Sequence, residues 1–268
     1  MIKRTLTGIG ITVVVYGIIA YAHIPQVIIF ATALLNIAAV LEIFHATGKD
    51  NKRWLKNLCA AVAVLLSLWQ LPLYENWILL LLPVSIFLFG WMMAHQKQCD
   101  FDRYWKTICI VLLVVLLFKA IPHLCQKEYG KLYLLMAITL CFATDVAAYL
   151  IGSRYGKHKL IPQVSPNKTV EGAVAGIVAS VIVMLLFDWY WKANGVGRCE
   201  HHILYAITAS VMGQFGDLSM SVIKRIGGVK DFGSFLPGHG GILDRFDSHL
   251  FCIAYTLLFC IFTGGYLV

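Results

Sequence analysis

Apolar runs long enough, or nearly long enough, to cross a lipid bilayer recur along the whole chain. A transmembrane helix needs about 20 predominantly apolar residues, and a helix satisfies its backbone hydrogen bonds without water. Nine runs approach this length, at 6–22, 25–46, 58–73, 77–94, 107–124, 132–152, 172–190, 203–220 and 249–268. The sequence therefore predicts an all-α, polytopic integral membrane protein with about nine transmembrane helices.

The composition agrees with this fold class and suggests an orientation. Hydrophobic residues make up 59% of the chain, charged residues 13%, and the mean hydropathy is +0.76, which is too apolar for a soluble domain. Most of the 22 Lys and Arg residues fall in alternate loops, which the positive-inside rule places in the cytoplasm together with the N-terminus. The net charge of +8 suits anionic lipids or phosphates. Because no nucleic-acid-binding motif is present, we expect no nucleic-acid partner.

The chain shows no internal repeat, linker or low-complexity tract, so we predict a single membrane domain over residues 1–268. Within it, residues 1–131 are expected to form scaffold helices that contact lipid or a dimer partner. Residues 132–268 are expected to form the catalytic helices and cytoplasmic loops. The eight cysteines are scattered without zinc-ligand spacing, and we interpret them as small core residues.

One carboxylate stands inside a predicted span. Asp145 lies in FATDVAAYLIG, where a charge costs several kcal/mol unless it meets a partner or a wet cavity. It is therefore either a buried group bonded to a neighbouring helix or a site residue. Ala148 and Gly152 nearby predict a close contact between helices. Glu42 and Lys119 also lie within spans, where they could pair with each other or face a dimer partner.

The loop at 153–171 is basic and ends in a helix start. Thr169 can cap a helix that begins at Val170, and a helix N-terminus beside Lys168 suits a phosphate. An ordinary positively charged cytoplasmic loop is the alternative interpretation. This loop is separated by two spans from the one at 221–248, so both face the same side and could form one site.

The segment from 213 to 248 concentrates the polar chemistry. Gly213, Asp217 and Ser221 recur every four residues and so share one helix face. A glycine-rich stretch follows, whose backbone N–H groups could approach a ligand closely. Carboxylates alternating with Lys and Arg suit a metal-bound polyphosphate, since aspartates hold Mg²⁺ and the cations neutralise phosphate oxygens.

These residues resemble a known signature. The pattern comprises Ser221, Lys224-Arg225, Lys230-Asp231, Gly233, Leu236-Pro237, His239-Gly240-Gly241 and Asp244-Arg245-Phe246-Asp247. It is similar to that of the phosphatidate cytidylyltransferases, the CDP-diacylglycerol synthases. The run SPNKTVEG at 165–172 and the Asp145 segment are also similar, although Asn167 departs from the usual run. The resemblance covers about residues 140–250.

The resemblance implies transfer of CMP from CTP to phosphatidate, with Mg²⁺ and possibly a second metal or a monovalent ion. It also implies a homodimer whose site faces the cytoplasm, which we expect in a bacterial inner membrane. We assign catalysis to Lys168, Ser221, Lys224, Arg225, Asp244 and Asp247. We assign substrate binding to Lys168, Lys224, Arg225, Lys230, His239, Gly240, Gly241 and Arg245. We assign metal binding to Asp217 and Asp244, with Asp247 or Asp145 as a further ligand.

His239 has two open interpretations, because it could contact the nucleotide or pyrophosphate, or brace the glycine turn. Two other functions also remain open for the chain. A CTP-dependent polyprenol or phytol-type lipid kinase, or an ether-lipid CDP synthase, would use similar substrates. An ion-coupled transporter would use intramembrane aspartates without turning over CTP.

Overall fold

The computed structural model describes residues 17, 19–21, 24–47, 53–68, 103–193, 201–233 and 240–263. The helices are α1 (Pro25–Thr47), α2 (Arg53–Leu68), α3 (Arg103–Cys125), α4 (Gly130–Tyr155), α5 (Val170–Ala193), α6 (His202–Ile226) and α7 (Leu243–Phe262). Two short strands, β1 (Lys159–Ile161) and β2 (Ser165–Thr169), lie between α4 and α5. The predicted span at 77–94 lies outside the described residues, as does nearly all of the span at 6–22.

Within the described ranges, five helices are long and apolar enough to cross a membrane. They are Pro25–Thr47, Thr107–Cys125, Gly130–Tyr155, Val170–Ala193 and Leu243–Phe262, and Lys56–Leu68 is a shorter apolar helix. Helix α6 contains the predicted span at 203–220 but is more polar, since it carries Gln214 and Asp217. The mostly helical architecture is thereby confirmed, with five helices that could span a membrane. The count of nine spans and the cytoplasmic N-terminus stay predictions.

The chain divides into two compact units. The first comprises Met1–Pro122 and Val222–Phe246, and the second comprises His123–Ser221 and Asp247–Val268. The predicted boundary at residue 131 separates scaffold helices from catalytic helices by their expected roles. This assignment of roles stays a prediction.

In the first unit, polar contacts tie α1 to its neighbours. The Asn36 amide donates to Ser67 Oγ of α2 at 2.8 Å, and Thr107 Oγ1 of α3 donates to Thr47 Oγ1 at 3.1 Å. A Cβ atom at Gly227 would lie 2.1 Å from the carbonyl oxygen of Ala46, so the residue after α6 must be glycine to lie against α1. Among the described residues of this unit, α1 thus contacts α2, α3 and the residue that follows α6.

In the second unit, α4 packs on α5 through small residues. A Cβ atom at Gly172 would lie 2.6 Å from the carbonyl oxygen of Ala148 and 3.1 Å from Gly152 Cα. One at Gly176 would lie 2.9 Å from Thr144 Cγ2. The close helix contact predicted at Ala148 and Gly152 is therefore confirmed, with Gly172 as its counterpart on α5.

The structure differs from the all-α prediction at residues 159–169. Strands β1 and β2 pair antiparallel, with Lys159 opposite Thr169 and Ile161 opposite Ser165. Pro162 and Pro166 exclude a helix here, because proline lacks the N–H donor that a helix interior needs. The sequence predicts a loop in this region, but it does not distinguish a hairpin from an irregular loop.

The hairpin delivers the chain directly into α5. The Gly172 N–H donates to Thr169 Oγ1 at 3.2 Å, which is the helix cap predicted from the sequence and is confirmed. His158 Nδ1 lies 2.6 Å from Glu171 Oε1, and the Val170 N–H donates to the carbonyl of His158 at 2.9 Å. These bonds fix the end of β2, and with it the position of Lys168.

Candidate active site

In the first unit, the carboxylate of Asp244 is held by three donors. Asp244 is the second residue of α7, and only 4% of its side chain is exposed. Its Oδ1 accepts a hydrogen bond from Lys224 Nζ at 2.7 Å. Its Oδ2 accepts from the N–H groups of Phe232 and Gly241, both at 2.9 Å. One side chain therefore joins the end of α6, the following segment and the turn before α7.

Lys224 lies near the end of α6 and is 12% exposed. Its ammonium stands 5.3 Å from the centre of the Phe232 ring, a distance at which a cation is attracted to an aromatic face. The carboxylate of Asp244 is thus neutralised by a half-buried lysine. A carboxylate has about four acceptor positions, so Asp244 retains one for a further cation or donor.

Glu42 of α1 binds the start of α7. Its Oε1 accepts from the Ile242 N–H at 2.7 Å, and its Oε2 accepts from the Leu243 N–H at 2.8 Å. The first N–H groups of a helix lack partners within it and favour a negative charge. The sequence left the partner of this buried carboxylate open, and the structure assigns it to the helix N-terminus.

Two glycines make room for Glu42. A Cβ atom at Gly241 would lie 2.6 Å from Glu42 Oε2, and one at Gly233 would lie 3.0 Å from Oε1. Gly240 has a φ of +80°, a conformation that side chains disfavour. The glycine-rich sequence is therefore partly explained by packing around one carboxylate.

Three backbone N–H groups of this turn donate within the chain, and the assignment of Gly240 and Gly241 to substrate binding stays a prediction. The N–H groups of Gly241, Ile242 and Leu243 all donate to carboxylates of the chain itself. The bent, glycine-rich backbone exposes these N–H groups, and the nearby carboxylates of Glu42 and Asp244 accept their hydrogen bonds. His239 lies outside the described residues, which stop at Gly233 and resume at Gly240.

Three more predicted phosphate-binding side chains of the first unit are exposed. They are Arg225, Lys230 and Arg245. The Arg225 guanidinium also donates to the carbonyl of Val229 at 3.4 Å. These cations are therefore accessible to dissolved anions, in contrast to the half-buried Lys224.

In the second unit, the structure brings Lys168 to Asp217. The ammonium nitrogen and Asp217 Oδ2 are 2.5 Å apart, and the side chains are 26% and 30% exposed. Helix α6 carries Gly213, Asp217 and the half-buried Ser221 at successive turns, as predicted. Loop 153–171 thus supplies a cation to a predicted metal ligand. Its sharing of a site with loop 221–248 stays a prediction.

Asp145 is bonded to α7. Ser248 Oγ donates to Asp145 Oδ2 at 2.9 Å, whereas the Ser248 N–H donates to Asp247 Oδ1 at 2.9 Å. The interpretation of Asp145 as a carboxylate bonded to a neighbouring helix is therefore confirmed. Its role in a site stays a prediction. The sequence does not predict this role for Ser248, because a lone serine in an apolar run carries no distinctive signal.

The donor set fits Mg²⁺ chemically. This ion prefers carboxylate oxygens and usually completes its shell with water and substrate phosphates. Asp217 is partly exposed and Asp244 keeps one acceptor position, so each could bind the ion while its lysine stays close to a phosphate. Each aspartate–lysine pair is therefore suited, within its own unit, to a metal-bound phosphate.

Comparison with known proteins gives one family. A model described as "Cytidylyltransferase family" matches residues 2–263. A relative from Staphylococcus haemolyticus is 46% identical over 173 residues, which is 65% of each chain. One from Staphylococcus aureus (strain COL) is 32% identical over 256 residues, covering 93% of this chain and 95% of the relative. One from Bacillus subtilis is 31% identical over 267 residues, covering 95% and 96%. Each relative is named phosphatidate cytidylyltransferase.

Proposed function

Since the chain belongs to the cytidylyltransferase family, we propose that it transfers CMP from CTP to phosphatidate. The products are CDP-diacylglycerol and pyrophosphate. The observation that carries the proposal is the pairing of aspartates with lysines in both units, Lys224 with Asp244 and Lys168 with Asp217. Such pairs supply metal ligands and phosphate-binding cations side by side, which a reaction between two polyanions requires.

The acceptor needs little activation in this reaction. The second pKa of a phosphate monoester is about 6, so the phosphatidate oxygen is largely ionised near neutral pH. That oxygen attacks the α-phosphorus of CTP, the bond from this phosphorus to the bridging oxygen breaks, and pyrophosphate leaves with the electron pair. The barrier therefore lies in aligning two anions and neutralising the leaving group, and not in removing a proton.

The side chains have distinct roles in this scheme. Lys168, Lys224 and Arg225 hold phosphate oxygens, Lys230 and Arg245 assist from exposed positions, and Ser221 donates to a phosphate oxygen. Asp217 and Asp244 would hold Mg²⁺, with Asp247 as a further ligand. When bound, this ion neutralises phosphate oxygens that the lysines do not reach. Each aspartate also orients the lysine that it contacts.

The location follows from the lipid substrate. Acyl chains stay in the bilayer while the phosphate group meets a nucleotide from water, so the reacting groups belong at a membrane surface. We propose a bacterial inner membrane with the N-terminus and the site on the cytoplasmic side, which the distribution of Lys and Arg favours. We also propose a homodimer, as the resemblance implies.

The test is product analysis with the detergent-purified chain. CTP, phosphatidate and Mg²⁺ together are expected to give pyrophosphate and CDP-diacylglycerol, and omission of any one component is expected to stop both. A lipid kinase would instead release CDP and phosphorylate an alcohol. A transporter would move an ion in proteoliposomes without consuming CTP. Either of these results, with folded protein, would overturn the proposal.

We predict that Lys168→Ala lowers kcat/KM by about ten- to a hundredfold. A charge-assisted hydrogen bond contributes about 1.5–3 kcal/mol, and each 1.4 kcal/mol corresponds to a factor of ten in rate. The loss also leaves the Asp217 carboxylate without its cation, so that it repels phosphate. The measurement is pyrophosphate release across CTP and phosphatidate concentrations.

The matched control for this variant is Lys159→Ala. Lys159 lies on β1 of the same hairpin and is exposed. We expect its replacement to change kcat/KM by less than about twofold, as is usual at exposed charged positions. Equal losses in the two variants would assign the effect to the overall charge of the hairpin and not to Lys168.

A further inference from the structure

A second group of polar side chains in the second unit differs from the aspartate–lysine pairs. Cys141 and Asp145 lie one turn apart on α4, and His249 lies on α7. One ligand atom from each residue lies within 4.8 Å of the other two. Cys141 is buried, and the other two side chains are half-buried. The proposed transfer reaction uses neither the thiol nor the imidazole.

The spacing of these atoms is close to that of a metal site. For three atoms no more than 4.8 Å apart, some point lies within about 2.8 Å of all three. Zinc binds sulfur at about 2.3 Å and imidazole nitrogen or carboxylate oxygen at about 2.0–2.2 Å. The ligand atoms therefore have to move inward by less than about 1 Å, which small side-chain rotations provide.

The charges also favour a divalent cation. A thiolate and a carboxylate carry two negative charges, and a neutral imidazole adds none, so one divalent ion gives a neutral cluster. Neutrality matters because α4 is an apolar helix of spanning length, where an isolated charge is costly. Ser248 Oγ donates to Asp145 Oδ2 at 2.9 Å and so orients the carboxylate from outside the cluster.

The ligand types select the ion. Thiolate and imidazole favour Zn²⁺ and the other late divalent transition metals, whereas Mg²⁺ prefers an all-oxygen set. Three protein ligands leave the fourth tetrahedral position for water. The cluster is therefore unsuited to the Mg²⁺ expected at Asp217 and Asp244.

We propose that Cys141, Asp145 and His249 form a binding site for Zn²⁺ or a similar divalent transition metal. The ion fastens α4 to α7 within the second unit, through two ligands on one helix and one on the other. This assignment makes Asp145 a ligand of the transition metal and leaves Asp217, Asp244 and Asp247 for Mg²⁺.

The experiment measures metal content and not activity, so its failure is distinct from failure of the proposed transfer reaction. The purified full-length chain is stripped with a chelator, incubated with Zn²⁺ or Co²⁺, desalted and analysed by mass spectrometry. We expect about one Zn²⁺ per chain, as for a single three-ligand site. We expect the Co²⁺ form to show tetrahedral visible bands and a thiolate-to-cobalt charge-transfer band.

Variants locate the ion. Cys141→Ser and His249→Ala are each expected to lower the amount of retained Zn²⁺ at least about tenfold. Loss of a group that only orients a ligand typically lowers metal affinity about 10- to 100-fold, and loss of a ligand itself lowers it more. Cys260→Ser, at another buried cysteine on α7, is expected to retain the metal. The absence of stoichiometric Zn²⁺ or of a thiolate band in the wild-type chain would overturn the proposal. Full retention by both ligand variants would also overturn it.

Discussion

Asp244→Asn is expected to lower kcat for pyrophosphate release by about 100- to 1,000-fold, the range typical when one electrostatic contact of an active site is lost. Lys224 and the N–H groups of Phe232 and Gly241 all donate to this carboxylate. An asparagine amide has one acceptor oxygen and one NH₂ group. In either orientation of the amide, its NH₂ group therefore faces an N–H donor of the protein. The acceptor position that remains for Mg²⁺ is also weakened.

The measurement is a Mg²⁺ titration of pyrophosphate release, with thermal unfolding of the same preparations. Asp188→Asn is a matched control, because Asp188 is also a buried aspartate bonded to a lysine, at 3.0 Å from Lys192. We expect this control to stay within about threefold of wild-type activity, as is usual for an isolated helical ion pair. Near wild-type activity of Asp244→Asn at saturating Mg²⁺ would remove Asp244 from the catalytic residues.

Glu42→Ala is expected to have the largest effect on stability. The variant leaves the half-buried N–H of Ile242 and the buried N–H of Leu243 without their acceptor, and each such group costs about 1–3 kcal/mol. We therefore expect the free energy of unfolding to fall by about 2–6 kcal/mol. Amide hydrogen exchange is expected to accelerate at Ile242 and Leu243, which lie immediately before Asp244.

Two variants test whether this effect is specific. Glu42→Gln keeps one acceptor oxygen and is expected to lose about half as much stability as Glu42→Ala. Glu128→Gln removes an exposed carboxylate and is expected to change the free energy of unfolding by less than about 0.5 kcal/mol. Unchanged amide hydrogen exchange at Ile242 and Leu243 in Glu42→Ala would contradict the hydrogen bonds from these two residues to Glu42.

The long helices could be predicted because length and apolar composition suffice to define them. The run at 25–46 corresponds to Pro25–Thr47 and the run at 107–124 to Arg103–Cys125. The hairpin before α5 could not be predicted in the same way. Its strands have three and five residues, which is too short for a periodic pattern of burial.

The types of site residue could be predicted, but their pairing could not. Lys168, Asp217, Lys224 and Asp244 stand out because charges are rare in this chain. Which lysine binds which aspartate depends on tertiary structure, and the Lys168–Asp217 pair joins a hairpin to a helix. Cys141 and His249 gave no signal, because local spacing rules do not detect ligands on helices far apart in sequence.

The bond between Glu42 and the start of α7 constrains how the chain is made. The two partners are 200 residues apart. At a synthesis rate of about 5–20 residues per second, roughly 10–40 seconds separate the emergence of Glu42 from that of its partners. During biogenesis the carboxylate must stay hydrated or protonated, because an unpaired charge in lipid is costly. Insertion of α7 is therefore the step that gives the Glu42 carboxylate of α1 its hydrogen-bond donors.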